Sequence, residues 1–322
     1  MAQSISTKTG FELYRHLVTS QILDFPGSVF YHPQFLQIAA DILNLELRPA
    51  AFFMDDRLVG IANFMLNRRY GVNNYLIPKL FQYYGPATLD ENIDLLPAVN
   101  SYFKGEADSV LMSLLPREIN RPNYQGWHAY QRLTYCLPPN SFENLRQNCF
   151  DDVKNKLNKA SKAGLEFASS VDFSDEIYTI YEASFSRQRL KPPLKRPSLL
   201  NWVHSLTAYG LAFTGVAQQK GIPVAFRTQL IYGKYSYDWL AGALPEANQT
   251  GANQFLVLKI GEHLFNKGIA NWDLLGGDIK SIGDFKRSFG SIPKPHIQLE
   301  KNYSLKGRIY RMLMKFKGRY RG

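Results

Sequence analysis

The chain has 322 residues, room for two domains at roughly 150 residues each, and it is 45% hydrophobic and 20% charged, a balance that excludes wholesale disorder. Thirty-eight Lys and Arg against 27 Asp and Glu give a formal charge of +11, which points to an anionic partner: nucleic acid, a phosphate-bearing substrate or a membrane surface. The excess is local. Residues 301–322 hold eight basic side chains and residues 184–198 hold five, with no acid in either stretch, and elsewhere 25 basic residues face 27 acidic ones. Cys136 and Cys149 are too few for a disulfide framework and lack metal-type spacing, so they read as reduced packing thiols. No signal-type apolar segment opens the chain and no run of about 18 apolar residues occurs. The chain therefore reads as cytoplasmic, with peripheral contact at the inner face of the membrane as a further expectation.

In chain order, the spacing predicts helices at Phe11–Leu23 and Pro33–Leu43, then a hairpin of Ala50–Met54 and Leu58–Met65 turning at Asp55, Asp56 and Arg57. A Tyr- and Gly-rich loop at Pro78–Pro86 leads to a helix at Ile93–Phe103, a buried strand at Ser109–Leu115 and a strand at Trp127–Leu137. A polar helix over Phe142–Ala163 stops at Gly164. Leu165–Ser169 is a short strand, Ser174–Ser186 a helix, and a basic loop broken by Pro192, Pro193 and Pro197 follows. Strands at Ala212–Gln218, Pro223–Tyr232 and Tyr235–Ala241, a helix over Ala252–Asn266 and a strand at Asn271–Leu275 complete the body. Hairpin, strand, helix and buried strand thus come twice in the same order, which suggests an internal repeat. In the tail, Leu305, Ile309, Met312, Leu313 and Phe316 fall on one helical face. Such a basic amphipathic helix lies on an anionic membrane, binds RNA or packs on the domain; Gly307 and Gly318 weaken it.

Chemistry is first bounded by what is missing. The six histidines show no metal-ligand spacing, and no nucleophile elbow, P-loop or dinucleotide-binding glycine pattern is present. The informative stretch is 236–290. Gly251, Ala252 and Asn253 open a helix directly after a strand, which is either an anion-binding helix start or an ordinary connection. Asp273 and Asp278 bracket the pair Gly276 and Gly277, and Phe285, Lys286, Arg287 and Phe289 set two cations between two aromatics. That combination fits a phosphate or oxyanion site.

In order and spacing, W-D-L-L-G-G at 272–277 and F-K-R-S-F-G at 285–290, with the basic helix Asp152–Gly164, the Arg-Gln segment Phe185–Pro193, and Phe30–Phe35, Asp56–Gly60 and Tyr83–Gly85, resemble the FemAB-like acyltransferases of the GNAT superfamily. The resemblance implies an α/β (α+β) fold of two tandem GNAT-like domains, each a mixed, largely antiparallel sheet flanked by helices. The first domain, 1–145, is degenerate, the second, 146–300, carries the activity, and 301–322 is the basic tail. It also implies an enzyme of bacterial type that moves an acyl or aminoacyl group, from acyl-coenzyme A or aminoacyl-tRNA and without a metal, to an amine of a peptide, glycan or lipid precursor of the cell envelope. An acyl-coenzyme A-dependent sugar-amine N-acetyltransferase and a non-catalytic ligand-binding scaffold are the alternatives.

Within that resemblance Phe285 and Lys286 match the pair at the donor end, with Lys286 supplying positive charge and Asp238 or Asp278 receiving the amine's proton. Gly251, Ala252, Asn253, Gly276, Gly277, Arg287, Tyr237, Arg187 and Arg189 are the candidate donor- and substrate-binding residues. The arginines of the basic loop face a pyrophosphate or a tRNA backbone, or are solvated loop charge. Two departures stand out: Trp272 replaces a Tyr, and the coenzyme A loop is not intact at Gln249–Gln254.

Overall fold

The computed structural model describes residues 5–20, 25–116, 124–137, 142–169, 171–187 and 189–316. The chain divides into two compact units, Met1–Arg132 with Pro295–Gly322, and Leu133–Lys294. These do not coincide with the limits drawn from sequence at 145/146 and 300/301. Among the described residues no helix is long and apolar enough to cross a membrane.

The first unit runs β1 (Ile5–Thr9), α1 (Phe11–Ser20), α2 (Pro33–Leu43), β2 (Glu46–Leu47), β3 (Ala50–Met54), β4 (Arg57–Ala62), β5 (Met65–Arg69), β6 (Val72–Tyr75), β7 (Pro86–Thr88), α3 (Leu96–Phe103) and β8 (Ser109–Ser113). One sheet has the order β1-β3-β4-β7, all antiparallel. Its β3–β4 turn puts Asp55 and Asp56 at φ +49° and +59°, the paired left-handed geometry that short polar residues tolerate in a tight hairpin. In the other set of strands β5 and β6 are antiparallel and β6 and β8 parallel. The high aromatic content is spent here: Phe30, Phe35, Phe64, Tyr75, Tyr83, Tyr84 and Phe103 are all buried, with Phe64 and Phe103 ring centroids 4.7 Å apart. Buried Asn63 ties the cluster together, donating to Phe30 O at 2.8 Å and accepting from Gly85 N at 2.7 Å.

Strand β9 (His128–Leu137) spans the division. The second unit continues with α4 (Phe142–Asn148), α5 (Asp151–Lys162), β10 (Leu165–Ala168), α6 (Asp175–Arg187), α7 (Arg196–Ala208), β11 (Ala212–Gln219), β12 (Ile222–Tyr232), β13 (Tyr235–Ala243), α8 (Pro245–Thr250), α9 (Ala252–Asn266), β14 (Asn271–Gly276) and α10 (Lys280–Arg287). Strand β15 (Ile292–Asn302) leads back to the first unit, where it pairs antiparallel with β8 and is followed by α11 (Leu305–Phe316). The polar helix expected over Phe142–Ala163 is two helices, broken at Phe150, whose N–H donates to Ser288 O at 2.8 Å.

In this unit β10 to β13 form an antiparallel meander. The crossover through α9 makes β14 parallel to β13, and β9 pairs with β14 from its other side, antiparallel. Helices cover both faces. Ala225 on β12 joins the α9 cluster of Leu256, Ile260 and Leu264. Its neighbour Phe226 packs on Phe173 and Tyr181 instead, as the alternation of a strand requires. The fold class is the mixed α/β architecture expected.

Gly251 shows how tightly α9 is set. It has φ +82°, and a Cβ there would lie 2.3 Å from the Lys156 carbonyl oxygen of α5. Gly251→Ala is therefore expected to lower stability by about 2–4 kcal/mol, from a strained φ and an overpacked helix contact, read as a lower midpoint in urea with an unchanged slope.

Candidate active site

Strands β13 and β14 hold together over three residue pairs, Tyr235 with Asn271 to Tyr237 with Asp273, and the ladder stops there. Just past this fork each strand carries a bulge. On β13, Gln229 faces Asp238 and Thr228 faces Leu240, so Trp239 is the extra residue. On β14, Asp273 pairs with Cys136 and Gly276 with Thr134, three steps against two. Leu275 lies inside that second bulge at φ +58°, a left-handed conformation that costs a branched side chain energy. Asp273 holds it there. Its Oδ1 accepts from Leu275 N at 2.7 Å and from the Thr134 hydroxyl, a side-chain turn of the kind Asp makes to the backbone two residues on.

The bulge turns two carbonyl groups toward α10. Lys286 Nζ donates to Leu275 O at 2.8 Å and to Gly276 O. The side chain is 8% exposed, and burial drops its pKa to about 8 although Asp238 and Asp273 pull the other way. An ammonium has three N–H groups, and these carbonyls account for two of them. Beside it Arg227 and Asp238 form a buried ion pair. Asp238 Oδ1 accepts from Gln229 Nε2 at 2.8 Å, and Gln229 Oε1 in turn accepts from Trp272 Nε1 at 2.8 Å. The Arg227 guanidinium lies 5.4 Å from the Phe285 ring centroid, and its buried Nε has no hydrogen-bond partner among the described residues.

Of the residues singled out from sequence, Lys286, Phe285, Asp238 and Gly276 come together here. Both oxygens of Asp238 are engaged, which makes it the partner of Arg227 rather than an open proton acceptor. Asp278 is exposed, and its Oδ1 accepts from Leu133 N at 3.0 Å. Arg287 pairs with Asp284 on the surface. Tyr237 is buried in the sheet. Gly277 answers a packing need, since a Cβ there would meet the Tyr135 ring at 2.1 Å. Gly251 and Ala252 are buried against α5, and Asn253 bonds to Asn248 at 2.8 Å. Arg187 and Arg189 are exposed where α6 ends.

Arg227, Gln229 and Thr134 had no place in the sequence-based site, and Asp273 entered it only as an acid flanking Gly276 and Gly277, not as the anchor of a bulge. The signal for the first was present: Arg227 is the single charged residue of the strand 223–232, where an unpaired charge is not tolerated. Of the two cysteines, Cys149 is buried with its thiol pushed up to about 11. Desolvation also raises Cys136, with Asp273 adding to it.

Residues 147–287 match the model of the acetyltransferase (GNAT) domain. Among curated proteins none matches the sequence. Three solved structures share the fold over nearly the whole chain. FemX aligns with TM-score 0.68 at 12% identity, over 96% of this chain and 99% of its own. The C-terminal domain of an Agrobacterium fabrum protein assigned as a lysylphosphatidylglycerol synthetase aligns with TM-score 0.62 at 14% identity, over 94% and 96%. A tandem GNAT protein from the clavulanic acid biosynthesis pathway aligns with TM-score 0.52 at 9% identity, over 94% and 99%. The chain thus shares its fold with these three structures, and residues 147–287 form an acetyltransferase (GNAT) domain.

Proposed function

We propose that the chain is an N-acyltransferase that moves an acyl or aminoacyl group from an activated ester or thioester to an amine of a cell-envelope precursor, glycan or lipid. The observation that carries this reading is the buried Lys286 ammonium, held on two bulge carbonyls that account for two of its three N–H groups, beside the Arg227–Asp238 pair. In such a transfer the amine nitrogen bonds to the donor carbonyl carbon, and the bond from that carbon to the leaving oxygen or sulfur breaks. Negative charge develops on the carbonyl oxygen in between. A desolvated cation aimed at that oxygen lowers the barrier, because its position is fixed before the charge appears. A pKa of about 8 also lets Lys286 pass a proton to the leaving atom and recover one from the attacking amine.

The coenzyme A loop pattern is not intact at Gln249–Gln254, and the start of α9 packs closely on Lys156 of α5 at Gly251, which supports an aminoacyl ester carried by tRNA as the donor. The likeness in fold to the lysylphosphatidylglycerol synthetase domain supports an aminoacyl group as the one transferred. Arg187 and Arg189, exposed and outside the buried cluster, are the side chains assigned to the donor's phosphates.

Lys286→Met should lower kcat by about 10²–10³ with the protein still folded, the usual cost of removing an oxyanion donor; turnover within threefold of wild type would rule the role out. Since Lys286 is charged only below about pH 8, activity should fall as pH rises through that value. Lys286→Arg, which stays charged above about pH 12, should keep part of the rate and move this alkaline limb upward. Assays with charged tRNA and with acyl-coenzyme A, each supplied with amine acceptors, check the donor; turnover with acyl-coenzyme A alone would overturn the tRNA assignment.

A further inference from the structure

Helix α11 has two faces, and only one is covered by the described residues of the chain. Gly307, Tyr310, Arg311 and Met314 are buried. A Cβ at Gly307 would fall 2.1 Å from the Asp108 carbonyl oxygen, so the helix is seated as close as backbones allow. Arg311 Nε donates to buried Glu300 at 3.1 Å, and Ser304 Oγ donates to Asp108 Oδ1 at 2.5 Å. Tyr310 and Met314 join Val72, Leu76 and Leu111 in one apolar cluster. On the other face, Leu305, Ile309, Met312 and Leu313 are 72%, 45%, 53% and 51% exposed. At about 100° per residue these four fill an arc of about 100° on the far side of the helix from the buried one. Exposed Lys306 and Arg308 border that arc on its two sides.

A second feature adjoins it. Lys306 Nζ donates to Gly71 O at 3.0 Å, which ties the first turn of α11 to the tip of the β5–β6 hairpin. That tip places Tyr70 at φ +54° and Gly71 at φ +68°, a turn geometry that favours Asn or Asp before Gly. Tyr70 takes the strained position instead and is 79% exposed, with the Arg69 guanidinium 5.1 Å from its ring centroid and Arg68 61% exposed alongside in sequence.

We propose that this face of the first unit docks on an anionic lipid bilayer. Helix α11 would lie in the plane of the headgroups, its four apolar side chains inserted and the flanking Arg308 on lipid phosphates, while Lys306 stays paired with Asp108 at 3.1 Å. Three observations select that occupant. The apolar arc is aliphatic, and aliphatic side chains gain little from an RNA backbone or from base stacking. The charged residues that border the arc, Lys306 and Arg308, are both basic, and residues 301–322 hold no acid, so a second copy of the same face is repelled. The helix is already rigidly seated, so binding orders no new segment. The inference stands whether or not the proposed transfer reaction is correct.

The test is co-sedimentation of the full chain with vesicles of phosphatidylcholine alone and of phosphatidylcholine mixed with phosphatidylglycerol. The expected result is binding to the mixed vesicles at low salt, weakened by high salt, with little binding to phosphatidylcholine. The double variant Ile309→Asp with Leu313→Asp should bind about tenfold more weakly or less while melting like the wild type. Leu313→Trp, which keeps the face apolar, should shift its emission to the blue on the mixed vesicles. Absence of wild-type vesicle binding, equal binding by the double variant, or binding to RNA without binding to vesicles would each overturn the proposal.

Discussion

Asp273 accepts a backbone bond from Leu275 and a hydroxyl bond from Thr134, and through them it fixes the bulge that β14 makes after the fork. Remove that carboxylate and nothing pays for a leucine at φ +58°. The strand would then pair on with β9 in regular register, and its carbonyls would point along the ladder rather than at Lys286. Lys286 would be left as a buried ammonium without acceptors, which in an apolar setting either loses its proton or pulls the helix that carries it toward water. The position of α10, the protonation of Lys286 and the opening beside β13 therefore share one cause.

Among the described residues, the buried charges of the second unit are concentrated at this point. Lys286, Arg227, Asp238 and Asp273 are all buried, two cations against two anions. Such a set is not a source of stability, since well-packed apolar residues of equal volume do as well or better, whereas loss of one partner costs about 3–5 kcal/mol. Its retention is explained by chemistry. A neutral cluster keeps the cost of burial tolerable and still presents one cation whose proton affinity is near neutrality. Arg227 and Asp238 serve this balance from β12 and β13, and Gln229 and Trp272 extend it into the sheet by a chain of bonds.

Much of this was legible in the sequence, and what escaped has physical reasons. Elements with clear periodicity, such as the Ala50–Met54 strand and the Ala252–Asn266 helix, were found where expected. Strand β15 was not, because Pro293 and Pro295 and three charged residues hide a pattern that only pairing with β8 reveals. Helix α7 was hidden in the same way behind Pro192, Pro193 and Pro197. Lys286 and Phe285 stood out as a motif, but Thr134 and Asp273 are 139 residues apart, and no local pattern announces such a meeting. The glycines misled in a consistent way. Gly251 and Gly277 looked like room for a ligand, and the space is filled by Lys156 and Tyr135. In the tail, periodicity revealed an apolar face and could not say which side was covered. Gly307, read as a weakness of the helix, is its point of closest contact.

The two units also use one plan for different ends. In the second, β13, α9 and β14 make a parallel crossover unit, flanked by the antiparallel β9. In the first, β6, α3 and β8 repeat that order, flanked by the antiparallel β15. At the second unit's parallel pair the strands part around charged groups. At the first unit's pair, Asn74 and Ser109 bond to each other at 2.7 Å, and Tyr75 packs on Phe103 with centroids 4.8 Å apart. No cation is buried there with acceptors of the Lys286 kind among the described residues; Arg311 instead pairs with Glu300 to seat α11. A side-chain hydrogen bond and a tilted aromatic pair thus fill, in the first unit, the place beside the parallel strands that the second unit gives to buried charge.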